Sequence, residues 1–302
     1  MRFEPAKGIL QTVGYGGQEG GEFYPRHYNM NLYRGCSHGC IYCDARSVCY
    51  QLDSPGEVRA KENALSILRE ELRRKRAPGI VGLGGMSDGY NPEEAYALLT
   101  RGALELLRQY GFGIGITTKS PLVARDIDLL RGIQKNAPVH VTFSITTADD
   151  SLSRKIEPGV APSGERFKAM ATLHQAGIPA GMWINPVLPF LTDSAENLLT
   201  LLRLCKEHGG GYSHTYYGMT LREGNREYYY AALDRHFPGL KRRYAETYGN
   251  SYSIPSPNAE ALHPLYVAEC ERLGLLHTFE ATNEMIMKSG GFRQQSLLFD
   301  EQ

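Results

Sequence analysis

The sequence predicts an α/β protein built on a parallel sheet with crossover helices. Three observations carry this prediction. Short apolar runs alternate with helical segments along the first 220 residues, which is the order a parallel sheet requires. Several of the helical segments open on a capping side chain followed by proline or glutamate. At 302 residues and 42% hydrophobic content, the chain can bury one large core, and no repeat, low-complexity tract or linker divides it.

The first strand is expected over 27–32 and delivers the chain into a cysteine-bearing loop. A helix over 61–76 and a strand over 80–83 follow. Asn91-Pro92-Glu93-Glu94 then starts a helix running over 92–110, because proline suits the first helical position and asparagine caps it. A strand over 113–117 leads to Ser120-Pro121, which opens a helix over 121–133 in the same way. The alternation continues with a strand over 139–144, a helix over 164–175 and a strand over 180–187. Asp193-Ser-Ala-Glu196 reads as a capping box for a helix over 194–207, before a strand over 212–217. This makes about six β/α units. Beyond residue 220 the pattern turns helical, over 225–237, 240–248 and 258–273. The expected division is therefore a β/α domain over 1–220 and a helical cap and tail over 221–302.

Charge narrows the function. Lys plus Arg and Asp plus Glu both number 33, so no global field recruits nucleic acid or anionic lipid. The run Arg73-Arg74-Lys75-Arg76 has Glu70 and Glu71 four residues before Arg74 and Lys75, the pairing of a solvated helix face. The N-terminus does not resemble a secretory signal, and no apolar run reaches membrane-spanning length. A cytoplasmic, reducing location without a membrane partner is the expectation, and disulfides are not expected.

The most informative segment is Cys36-Ser-His-Gly-Cys40-Ile-Tyr-Cys43. Gaps of three and two residues bring three thiolates to one side of a tight loop, enough to hold three corners of an iron–sulfur cube. The fourth iron then lacks a protein ligand and can bind a cofactor or substrate. Gly35 and Gly39 allow the turns such a loop needs. A zinc site with His38 or Cys49 as fourth ligand is the alternative.

Cys-x-x-x-Cys-x-aromatic-Cys is the signature of the radical S-adenosylmethionine enzymes, and this chain resembles them. The stretch from Tyr33 to Arg46 is similar to the branch grouped with spore photoproduct lyase. The resemblance implies a partial (β/α)6 TIM-type barrel with a helical C-terminal extension and a reaction centre at the C-terminal edge of the strands. It implies a [4Fe-4S] cluster and S-adenosyl-L-methionine as cofactors, with Cys36, Cys40 and Cys43 as metal ligands and catalytic residues. A reducing electron donor of flavodoxin or ferredoxin type is the implied partner.

The resemblance also assigns cofactor contacts. Tyr42 is the aromatic of the signature, and Gly85, Met86 and Ser87 match the segment that meets the methionine amino group. Lys119 is implied at the cofactor carboxylate or ribose edge, and Ser144, followed by Thr146 and Thr147, supplies hydroxyls there. Arg166 resembles the arginine that pairs with the carboxylate, which suits its planar fork. Glu157-Pro158-Gly159 and Asn185-Pro186-Val187-Leu188-Pro189 also match the branch, with backbone at Val187 and Leu188 flanking the adenine. Each has a plainer reading: a β-to-α turn at the glycines, a solvated Lys119, a surface Arg166, and capping or packing for Asp88, Tyr90 and Asp193. His38 is expected to shape the cysteine loop, and Trp183 to lie in the core.

For the substrate, the resemblance favours a damaged nucleobase, with nucleic acid as partner and lyase or DNA-repair chemistry as the outcome. The hydrogen-donor cysteine of that lyase has no counterpart in Gly84-Gly85-Met86-Ser87. The neutral charge favours a small molecule or peptide instead. A non-catalytic metal-binding module is the third reading. Tyr216-Tyr217, Tyr228-Tyr229-Tyr230 and Arg222 are candidate substrate contacts beside ordinary packing roles.

Overall fold

The computed structural model describes residues 1–13 and 24–292. In chain order the first elements are β1 (Arg2–Glu4), β2 (Leu10–Thr12), β3 (Tyr28–Met30), β4 (Tyr33–Arg34), β5 (Arg59–Lys61), α1 (Ala64–Arg73) and β6 (Ile80–Leu83). Next come α2 (Glu94–Ala97), α3 (Leu99–Gln109), β7 (Gly113–Thr118), α4 (Ile127–Gln134), β8 (Val139–Ser144), α5 (Asp150–Ile156), α6 (Ser163–Gln175) and β9 (Ala180–Ile184). The chain ends with α7 (Ala195–Glu207), β10 (Tyr212–Thr215), β11 (Gly218–Thr220), α8 (Asn225–His236), α9 (Leu240–Tyr248), β12 (Ser253–Pro255), α10 (Ala259–Leu273) and α11 (Phe279–Ser289).

The main sheet has seven strands in the order β10-β9-β8-β7-β6-β3-β2. Six run parallel, and β2 pairs antiparallel with β3 at one edge. Strands β10 and β2 do not pair with each other, so the sheet is open, the α/β architecture the sequence implied. Helices on one face and the site on the other bury β8 along its whole length. Its Val139, Val141 and Phe143 point to the helices, while His140 and Ser144 point to the concave face.

Several boundaries differ from the sequence reading, three of them for a plain local reason. The helix expected over 92–110 is two helices, broken at Leu98 with φ +55°. The buried Glu94 carboxylate turns back and accepts hydrogen bonds from the Thr100 and Arg101 amides at 2.9 and 3.3 Å, capping α3 from outside it. For α7 the capping residue is Ser194, whose hydroxyl accepts from the Asn197 amide at 3.1 Å. Asp193 instead accepts from the Ser256 hydroxyl at 2.7 Å. Strand β9 ends at Ile184, before Pro186, which has no amide hydrogen to extend a ladder.

A second apolar cluster joins the cysteine loop to the C-terminal third. Ile41 and Tyr42 pack there with Leu188, Met219 and the buried faces of α8 and α9. The Tyr229 hydroxyl donates to Tyr244, which donates to the Pro189 carbonyl at 2.6 Å. Helix α10 lies against α7, with the Tyr266 hydroxyl on the Ser213 carbonyl. Helix α11 closes the opposite end of the sheet, where the Ser289 hydroxyl donates to the Val139 carbonyl at 3.3 Å.

Candidate functional site at the C-terminal edge of the sheet

The cysteine loop runs between β4 and β5 and is held from three sides. The Cys36 amide donates to the Pro55 carbonyl at 3.0 Å, and the Ile41 amide to the Ile156 carbonyl at 2.9 Å. The Gly159 amide donates to the His38 carbonyl at 2.8 Å, so the Glu157-Pro158-Gly159 turn clasps the loop. Gly35 has φ +76°, and a Cβ there would sit 2.2 Å from the Glu57 carbonyl oxygen.

Cys36, Cys40 and Cys43 line one cavity of about 650 Å³. Among the described residues no three His, Cys, Asp or Glu side chains converge closely enough to hold a single metal ion. Ligands of one zinc would stand about 3.8 Å apart at its usual sulfur distances, whereas ligands of a cube each take a different iron and stand wider. Burial, then the nearby Asp88 charge, pushes the Cys36 thiol up to about 12, and the His38 and Asp88 amides that point at its sulfur pull it back. Burial likewise raises Cys40. A positive iron centre would reverse this by stabilising the thiolates.

The β6-to-α2 connection forms a second wall. Gly84 has φ +99°, and a Cβ there would fall 1.9 Å from the Thr117 carbonyl oxygen, so only glycine lets the chain turn against β7. Asp88 fixes this turn by accepting from the Thr118 hydroxyl and the Tyr90 and Lys119 amides, each at 2.8 Å. It also faces the His38 imidazole at 3.6 Å. Burial lowers the His38 pKa, with Lys119 and Arg166 adding to it and Asp88 opposing.

Gly85, Met86 and Ser87 all line the cavity. A Cβ on Gly85 would meet nothing within 4 Å, so the backbone there is open to a ligand. The Ser87 hydroxyl is already spent on the Tyr33 carbonyl at 2.8 Å, which leaves its backbone for any contact. Lys119 and Ser144 complete the wall, with the Lys119 ammonium 5.8 Å from the Tyr42 ring centre.

From Tyr42, which also lines the cavity, a buried polar triad runs back into the core. The Tyr42 hydroxyl and the Arg166 guanidinium both donate to the Glu157 carboxylate. Burial pushes Glu157 up, but Arg166, Lys119 and Tyr42 outweigh it and hold the carboxyl below its usual range. Arg166 is fully buried and also donates to the Ser144 and Ala161 carbonyls at 2.9 and 3.0 Å. The structure therefore does not bring Arg166 to the cavity wall. It positions the Ser144 backbone instead, because a buried guanidinium must be matched by a carboxylate and Glu157 supplies it. Val187 and Leu188 are buried and lie outside the lining too.

The sequence reading missed the lower half of the cavity, lined by Arg26, Asn29 and His140. His140 carried a weak signal as a polar residue inside the apolar run Val-His-Val. Arg222, offered as a substrate contact, sits outside the lining and bonds the Tyr252 hydroxyl at 2.8 Å and the Cys49 sulfur at 3.1 Å.

Known proteins share both the sequence pattern and the fold. Residues 30–205, more than half of the chain, match the Radical SAM superfamily. An uncharacterised protein of Mycobacterium tuberculosis is 35% identical over 245 residues, spanning 79% of this chain and 72% of that one. An uncharacterised protein of Methanocaldococcus jannaschii is 34% identical over 169 residues, spanning 55% and 62%. A mutant of spore photoproduct lyase superposes with TM-score 0.64 at 17% identity, covering 89% of this chain and 80% of that one. Another, with bound AdoMet and dinucleoside spore photoproduct, gives 0.61 at 14% identity, covering 86% and 79%. With the cysteine signature, the open parallel sheet and the matched region in agreement, the chain belongs to the radical SAM superfamily of enzymes.

Proposed function

We propose that this enzyme holds a [4Fe-4S] cluster on Cys36, Cys40 and Cys43, binds S-adenosylmethionine beside it, and abstracts hydrogen from a small-molecule substrate. One observation carries the reading: three thiols, the Gly85-Met86-Ser87 backbone, Lys119 and Ser144 share the wall of one cavity. The residues fit the cofactors, since three sulfurs leave one iron free and the open space at Gly85 admits a ligand against the backbone.

When bound together and reduced by one electron, the two cofactors supply a 5′-deoxyadenosyl radical. The chain's part is to orient and to exclude water. Carbonyls of the 85–87 segment suit an ammonium, and the Lys119 cation and Ser144 hydroxyl suit a carboxylate or ribose edge. Arg166 acts one step back, fixing Ser144 through its carbonyl. The apolar packing of Ile41, Tyr42 and Leu188 against α8 and α9 shuts solvent out from one side.

The fold likeness to spore photoproduct lyase raises a nucleic-acid lesion as substrate. Two observations favour a small molecule: the balanced 33 and 33 charges, and the absence of cysteine from residues 84–87. The electron arrives from a flavodoxin- or ferredoxin-type donor in a reducing cytoplasm.

The test is anaerobic reconstitution with iron and sulfide, followed by chromatography for 5′-deoxyadenosine in the native chain and in Cys36→Ala. Native protein should bind about four irons and release 5′-deoxyadenosine under a strong reductant, and the variant should do neither. Native protein that binds no iron, or a variant that behaves like it, refutes the reading.

A further inference from the structure

The floor of the cavity carries a second set of polar groups that the cofactor-facing wall does not use. Sheet register places them. Asn29 on β3 stands opposite Gly82 on β6, Gly82 opposite Gly115 on β7, and Gly115 opposite His140 on β8. Residues at one level of neighbouring parallel strands point to one face, so these four make a single row, and all four line the cavity.

The two glycines keep the row open. A Cβ on Gly115 would come 2.5 Å from His140 Cε1, and one on Gly82 would come 3.1 Å from Asn29 Oδ1 and 3.3 Å from Arg26 Cδ. Arg26 thus lies across Gly82 from just before β3.

None of the three polar side chains is spent. Among the described residues, Arg26 has no ion pair or hydrogen bond, and Asn29 has no side-chain hydrogen bond. His140 is 3% exposed, and its Nδ1 has no partner among those residues. Native proteins leave few buried polar groups unmatched, so the unpartnered Nδ1 of buried His140, facing one cavity with the half-buried Arg26 and Asn29, marks a ligand site. Among the described residues the only carboxylates in the lining, Asp44 and Asp88, bond residues near the cysteine loop. A guanidinium, an amide and an imidazole with no acid among them are a donor set for an oxyanion.

We infer that the substrate carries a carboxylate or phosphate, seated on Arg26, Asn29 and His140, which holds the rest of the molecule toward the cysteine end of the cavity. Tyr24 and Trp183, edge to face with ring centres 5.9 Å apart, flank the path and suit an apolar body. This rests on the proposed function only in calling the ligand a substrate.

Isothermal titration calorimetry of the anaerobically reconstituted protein tests it, with phenyl phosphate and benzoate as probes and benzylamine as the control of opposite charge. At least one oxyanion should bind saturably while benzylamine does not, and the stronger of the two names the group. Arg26→Gln should weaken that binding at least tenfold, with Arg26→Lys restoring part of it and S-adenosylmethionine affinity changing less than twofold. Gly115→Val, which alters no charge, should also abolish it. The inference falls if neither oxyanion binds, if benzylamine binds equally well, or if Arg26→Gln binds as tightly as native protein. The benzylamine comparison needs no variant and so decides even if Arg26→Gln does not fold. Loss of oxyanion binding with normal 5′-deoxyadenosine release would sink this inference alone, and the reverse result would sink the proposed function alone.

Discussion

Arg166→Met separates a positioning arginine from a ligand-binding one. The native guanidinium is fully buried and bonds Glu157, the Ser144 carbonyl and the Ala161 carbonyl. Methionine fills much of its volume, so the cavity cost is small, but Glu157 is left 1% exposed with its main counter-charge gone. Breaking one side of a buried ion pair costs about 3–5 kcal/mol. At about 2–4 °C per kcal/mol, that lowers Tm by roughly 6–20 °C.

The effect has a pH signature. In the native protein the Glu157 carboxyl is held below its unfolded value, so its contribution is present above the ordinary carboxylate range and is lost as pH falls through the folded value. In the variant, burial without Arg166 raises the folded value above the unfolded one, so acid relieves the penalty. The Tm gap between native and variant should therefore narrow as pH is lowered. Thermal unfolding of cluster-free protein by circular dichroism reads both quantities. Replacing the pair together, Arg166→Met with Glu157→Leu, should recover most of the loss. A single-variant drop below about 2 °C, or a double variant no better than the single, would refute the account and return Arg166 to the cofactor carboxylate.

Two further outcomes follow from the same geometry. Gly84→Ala places a Cβ 1.9 Å from the Thr117 carbonyl at φ +99°, so urea unfolding should show a loss of at least about 2 kcal/mol; a change within about 0.5 kcal/mol would contradict it. His140 and His214 are pushed down to about 3 and about 4, each by burial first, so the folded state refuses protons that the unfolded chain accepts. Stability should fall as pH drops below about 6.5, by up to about 1.4 kcal/mol per pH unit for each histidine, and His140→Gln should flatten that slope; an unchanged slope would show His140 to be protonated in the folded state.

Much of the frame was legible in the sequence. Strands over 80–83 and 139–144 coincide with β6 and β8, because apolar runs between turn signals have one stable use in a doubly covered sheet. The Ser120 cap was legible for the same local reason, since its hydroxyl and the Leu122 amide it bonds lie two residues apart. The break at Leu98 was not, because the carboxylate that caps α3 belongs to the previous helix and the helical pattern runs unbroken through both.

The sequence by itself determined the cysteine loop of the proposed site: three cysteines within eight residues need only a loop to bring them to one side. The tertiary structure decided what surrounds them. Arg166 found Glu157 rather than the cavity wall because burial forces charges to pair, and the partner is chosen by packing. Asn29, Gly82, Gly115 and His140 became one row because strand register aligned them across four strands. Register is set by the burial of a whole sheet, a property no short stretch of chain carries.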